Sequence, residues 1–112
     1  GMQGAMQEIK CGWLLKKAET SWGWRKRWFA LYPGRLTYQA SPDVNGVAKT
    51  IPLFDARGGV GDGAATVEAL GSEMEFRLHS FGRSFHLKAF SSAERAQWLF
   101  AFELVLGGHV DA

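Results

Sequence analysis

The sequence predicts a mainly β fold: a seven-stranded, strongly bent antiparallel β-sandwich or barrel capped by one C-terminal α-helix. Three observations carry this. Apolar and polar residues alternate in short runs up to Lys88, each run bounded by turn signals. After Ser91 the apolar spacing turns helical. The chain, 112 residues at 46% hydrophobic and 21% charged, is long enough for one core and one domain. At that size folding buries roughly two-thirds of the unfolded surface, so neither a disulfide nor a metal is needed as a staple. The same composition excludes a disordered tail, a collagen-like repeat and a coiled coil.

The elements follow in order. Ile9, Cys11, Trp13 and Leu15 alternate with Lys10, Gly12 and Leu14, a half-buried first strand. The polar break Ala18-Glu19-Thr20-Ser21 separates it from the aromatic-rich second strand, Trp24 to Tyr32. Pro33-Gly34 is a turn: Pro fixes φ near −65° and Gly tolerates positive φ. Arg35-Leu36-Thr37-Tyr38-Gln39 returns as the third strand. A loop through Ser41-Pro42-Asp43 and Asn45-Gly46 precedes a fourth at Lys49–Leu53, where Pro52 points to a sheet edge. Gly58, Gly59, Gly61 and Gly63 make a loop-like stretch, with a short strand expected at Thr66–Leu70. Glu75–His79 and Ser84–Lys88 read as a hairpin turning at Gly82. Ser91-Ser92-Ala93-Glu94 fits a capping box for a helix over Ser92–Leu106. Trp98, Ala101, Phe102 and Val105 form its apolar stripe and Gly107-Gly108 its stop. Residues 1–8 are expected to be a tag remnant and lead-in, 9–106 the domain, and 107–112 a tail.

The net charge of +2 conceals a polarised chain. Residues 10–36 hold seven basic residues against Glu19, a net of +6, whereas residues 41–75 hold two against six acids, a net of −4. Such a molecule orients toward an anionic surface or polyanion. Strand parity adds a direction. Arg25 and Arg27 share a face with Phe29 and Leu31, and Lys16 shares one with Gly12 and Leu14. The second-strand face begins cationic and becomes apolar, and the first-strand face makes the same switch at its end, as expected where a barrel interior meets an open mouth. If the two strands pair as a hairpin, Lys16, Arg25 and Arg27 converge around the Ala18–Trp22 loop, whose amides add donors. Arginine's planar fork suits phosphate. A phosphorylated headgroup is then the ligand, and an exposed basic hairpin without one is the alternative.

These residues resemble the signature of the pleckstrin homology family. Gly12-Trp13-Leu14-Leu15-Lys16, Arg25-Lys26-Arg27-Trp28-Phe29, Leu36-Thr37-Tyr38, Ile51-Pro52-Leu53 and the helical Trp98 occur in the family's order across about residues 9–106. The resemblance implies phosphoinositide-binding roles for Lys16, Arg25 and Arg27, with Tyr38 contacting the headgroup. Lys49 stands one position from where a further basic residue is expected, and Ala48 takes that place. Trp22 and Lys17 are the expected membrane contacts, packing of Trp22 on the hairpin being the other reading. The expected function is non-catalytic membrane recruitment, peripheral and cytoplasmic, by a monomer. The alternative is a protein-interaction domain meeting a partner through Phe100 and Leu104.

Other features carry less. His79, His86 and His109 have no metal-ligand spacing with Cys11 or each other, so no metal or cofactor is expected. His86 is expected to face solvent, Trp98 to plug the core, and Trp13 and Trp28 to be packing residues. The glycines at 58–63 lack the Gly-Lys-Ser/Thr ending of a phosphate-binding loop. Stacking of single-stranded nucleic acid on Trp22, Trp24 and Trp28 is set aside, because the whole pattern favours the lipid reading. The lone Cys11 makes no internal disulfide and fits a reducing compartment. No apolar run approaches the roughly 18–20 residues of a membrane span, and no cleavable leader opens the chain.

Overall fold

A computed structural model describes residues 7–20, 22–43, 48–54, 63–107 and 110–111. Its elements are β1 (Lys10–Lys17), β2 (Trp24–Leu31), β3 (Arg35–Gln39), β4 (Lys49–Pro52), β5 (Thr66–Ala69), β6 (Glu75–Ser80), β7 (Arg83–Lys88), α1 (Ser92–Leu106) and β8 (Val110–Asp111). One sheet runs in the order β4-β3-β2-β1-β7-β6-β5-β8. The strand carrying Pro52 lies at one end of that order, as the missing N–H of proline requires. The predicted loop at Asn45-Gly46 and the glycines Gly58, Gly59 and Gly61 lie outside the described residues.

The bend is concentrated at one junction. β1 pairs with β2 from Lys10↔Leu31 to Lys17↔Trp24, but with β7 only at Leu15↔Lys88 and Lys16↔Leu87. There the sheet folds over and its inward residues meet: Leu14, Phe29, Leu31, Leu36, Leu78 and Leu87 are fully buried. Helix α1 closes the far end. Trp98 and Phe102 are buried in the core, and the Phe102 ring meets Phe76 edge-on at 6.1 Å. A Cβ built on Gly12 would touch the Trp98 indole at 3.6 Å, so β1 passes directly beneath the helix. Truncating either aromatic costs about 3–5 kcal/mol by the usual core measure.

The helix begins as its sequence predicts. Ser91 is extended, at φ −157°, and its Oγ accepts the Glu94 amide at 3.0 Å. Its buried stripe is wider than expected, gaining Leu99 and Leu106, while Val105 is only half-buried. Phe100 and Leu104 face out, 66% and 64% exposed. Arg95 ties the helix to the β5–β6 turn, where its Nη1 donates to the carbonyls of Leu70 (3.2 Å), Ser72 (2.8 Å) and Glu75 (3.1 Å).

Three differences from expectation stand out. Among the described residues there are eight strands, since Val110–Asp111 pairs in parallel with Val67 and Glu68 on the β5 edge. Two residues show no alternation, so the sequence alone predicts a tail there. His86 is half-buried instead of solvent-facing, its Nε2 lying 2.6 Å from Glu75 Oε1. Trp13 and Trp28 do pack as expected, against each other at 5.3 Å and edge to face on the outside of the barrel, with Trp98 in the core. β1 also runs on to Lys17.

Candidate functional site

Period-two alternation in antiparallel strands builds the mouth. Leu14 and Lys16 lie on the inner face of β1, and Leu31, Phe29, Arg27 and Arg25 on that of β2. On β3 the inner row is Leu36 then Tyr38, on β4 Ile51 then Lys49, and on β7 Leu87, Phe85 then Arg83. In register, Lys16 faces Arg25, Leu14 faces Arg27, and Tyr38 faces both Phe29 and Lys49. Each of these five inward rows therefore runs from core to a polar or cationic residue at the same end of the barrel.

Lys16 is the centre of this arrangement. Its Nζ lies 5.4 Å from the Tyr38 ring centroid and 5.9 Å from that of Phe85. Tyr38 is itself stacked on Phe29 at 5.3 Å, which fixes the ring beneath the ammonium. Burial holds the Lys16 pKa below its ordinary value; Lys49, Arg83 and Arg27 push the same way, and Glu19 opposes them. Arg27 is half-buried and its Nη1 donates to the Lys26 carbonyl at 2.8 Å. Arg25 and Lys49 are exposed at the rim.

Lys16, Arg27, Tyr38 and Lys49 thus come together, and Arg25 stands across the ladder from Lys16. Lys17 and Trp22 form a separate pair on the loop: Trp22 is 90% exposed, with the Lys17 Nζ 5.7 Å from its ring. Of the loop amides expected to donate outward, that of Ala18 is committed to the Gly23 carbonyl at 3.0 Å. Two residues were missed. Arg83 lies over the Phe85 ring at 4.7 Å, and its Nη2 is 3.5 Å from Glu19 Oε1. The pair bridges the β6–β7 turn and the β1–β2 loop across the mouth. Both side chains are mostly exposed, so the pair is worth little in stability. A signal for Arg83 was present, since it shares parity with the buried Phe85 and Leu87.

The outer face of β5, β6 and β7 carries imidazole–carboxylate pairs. Glu68 Oε1 lies 3.0 Å from His79 Nε2, and Ser84 Oγ lies 2.8 Å from His79 Nδ1. The order is that of a nucleophile, base and acid, but the His79 and Glu68 side chains are 43% and 40% exposed on an open sheet face. Water therefore reaches every member, and nothing there desolvates a substrate. No described helix is long and apolar enough to cross a membrane.

The family model described as PH domain matches residues 8–107. Switch-associated protein 70 of Gallus gallus is 28% identical over 99 residues, covering 85% of this chain and 16% of that protein. The Danio rerio protein named differentially expressed in FDCP 6 homolog is 29% identical over 107 residues, covering 92% and 16%. The chain therefore spans about a sixth of the length of these relatives. Among solved structures, the C-terminal PH domain of pleckstrin in complex with D-myo-Ins(1,2,3,5,6)P5 superposes with a TM-score of 0.73, at 24% identity over 90% of this chain and 97% of that one. The Slm1 PH domain in complex with D-myo-inositol-4-phosphate gives 0.71 at 20% identity, over 89% and 96%.

Proposed function

The chain belongs to the PH domain family, and from that membership we propose that it is a non-catalytic membrane-recruitment module whose mouth grips a phosphoinositide headgroup. Lys16, Arg25 and Arg27 donate to its phosphates, Tyr38 packs beside the inositol ring, and Lys49 and Arg83 add positive charge from the flanking strands. Trp22 and Lys17 dock at the membrane interface, where amphipathic rings and cations are both favoured. The module works as a monomer at the cytoplasmic surface of a membrane.

The observation that carries the reading is the half-buried Lys16 ammonium, held beside two aromatic rings and crowded by Arg27, Lys49 and Arg83. A lysine whose ionisation is disfavoured by burial and by neighbouring positive charge is relieved by an anion, and phosphate fits arginine's geometry. Structural neighbours solved with inositol phosphates support the choice of ligand class. Lys16→Ala and Arg27→Ala are each expected to abolish selective sedimentation with phosphoinositide vesicles across a panel of isomers. Retention of selectivity by both variants overturns the site.

A second reading rests on Phe100 and Leu104, apolar residues exposed on one side of α1. Under it the domain meets a protein partner. Phe100→Glu or Leu104→Glu then abolishes capture of that partner while Lys16→Ala preserves it.

A further inference from the structure

Away from the mouth, the outer surface of the β1–β2 hairpin and the start of α1 enclose a cleft of about 400 Å³, within the range of small-ligand sites. Its walls are aromatic: Trp13 and Trp28 meet edge to face, and Phe90 is 47% exposed. Two ammonium groups overlook it. Lys26 Nζ lies 4.4 Å from the Trp13 ring centroid and 6.0 Å from that of Phe90. Lys10 Nζ lies 5.1 Å from the Trp98 ring centroid and 3.3 Å from Gln97 Oε1.

The backbone beside the cleft is an open strand edge. Ala18 donates to Gly23 in the β1–β2 ladder, which assigns the even-numbered residues of β1 to β2. The N–H and C=O groups of Cys11 and Trp13 therefore point the other way. β7 pairs with β1 only at Leu15 and Lys16, so no described strand continues the ladder beside Cys11 and Trp13. Both residues line the cleft.

We propose that this cleft binds an extended peptide segment carrying an apolar side chain next to a carboxylate. The segment bonds to the free edge of β1 at Cys11 and Trp13, as strand-adding peptides do. Its apolar side chain packs between Trp13, Trp28 and Phe90, and its carboxylate meets Lys26 and Lys10. Glu94, on the helix side of the cleft, repels a second negative charge there, so the segment is not uniformly acidic. Lys16 and Trp13 lie on opposite faces, about 10 Å apart along β1. Peptide and headgroup can therefore be held together, and this proposal does not depend on the lipid reading.

The test uses the whole chain and pools of acetylated hexapeptides in which one position at a time is fixed as acidic, basic or apolar. The indole N–H resonances of Trp13 and Trp28 report occupancy. Pools combining an apolar with an acidic residue should shift both signals. Lys26→Glu and Phe90→Ser should each weaken that binding about tenfold, one charge-assisted or packed contact being worth roughly that factor. Phe90→Ser should leave vesicle sedimentation unchanged. Several results overturn the proposal: no pool shifts the signals, basic pools bind equally well, or Lys26→Glu binds as the parent does. Sedimentation showing a dimer that Phe90→Ser disperses gives the cleft to a second copy. Phosphatidylserine vesicles displacing every peptide give it to lipid.

Discussion

Lys16 shows how one residue takes its properties from several elements. β1 supplies its parity, β3 and β7 the rings beneath its ammonium, and β2, β4 and β7 the cations that surround it. Its pKa is lowered, so the folded chain binds fewer protons than the unfolded one between the two pKa values, and stability rises with pH there. A phosphate at the mouth favours the ammonium and raises the pKa. Headgroup binding should therefore take up protons in the alkaline range and weaken as pH rises through the free-state pKa. Titrating the Lys16 Hε–Cε signal with and without inositol hexakisphosphate checks this, and identical curves mean that phosphate does not reach it. Glu19 is the counterpart, an anion of the chain's own beside Arg83. Glu19→Gln should tighten vesicle binding several-fold and Arg83→Ala loosen it about tenfold, both with unchanged melting temperatures, since so exposed a pair contributes about 0–1 kcal/mol. Equal binding by the two variants would exclude Arg83 from the site.

At the scale of elements, period two made most strands legible, and the Ser91 cap with the Trp98–Phe102 spacing did the same for the helix. The faces of β2 were readable for the same reason: Arg25, Arg27, Phe29 and Leu31 alternate with Trp24, Lys26, Trp28 and Ala30. What stayed hidden depends on partners distant in the chain. Val110–Asp111 is a strand only because the β5 edge accepts it. The Glu19–Arg83 contact exists only because β7 folds back beside β1, and the cleft at Trp13 because that ladder stops short. Arg95 was equally silent, a helix-surface arginine by spacing and yet the tie between α1 and the β5–β6 turn. Arg95→Ala should lower unfolding free energy by about 1.5–3 kcal/mol, because three carbonyls lose a charged donor. Urea denaturation reads this directly. A shift below half a kilocalorie would mean that water replaces the guanidinium at little cost.

Across the whole molecule, the charge asymmetry read from the sequence becomes a spatial one, with basic residues of β1, β2, β4 and β7 gathered toward one end. The proposed membrane recruitment would draw on two kinds of attraction, and salt separates them. Raising ionic strength from about 0.1 to 1 M shortens the screening length from about 10 to about 3 Å. Sedimentation with phosphatidylserine vesicles should then vanish while preference for phosphoinositide vesicles persists, because partly buried contacts are screened less. Loss of both together would reduce the mouth to a diffuse positive patch. Phe81 and Gly82, the two residues between β6 and β7, both have positive φ, 45° and 90°. This tight reversal fixes Ser80 opposite Arg83. One amino acid inserted after Gly82, with the two-residue turn kept and β6 in place, would set the newcomer opposite Ser80 and turn Arg83 to the outside of the barrel. The register that leaves this bend thus decides which side of the wall the guanidinium occupies.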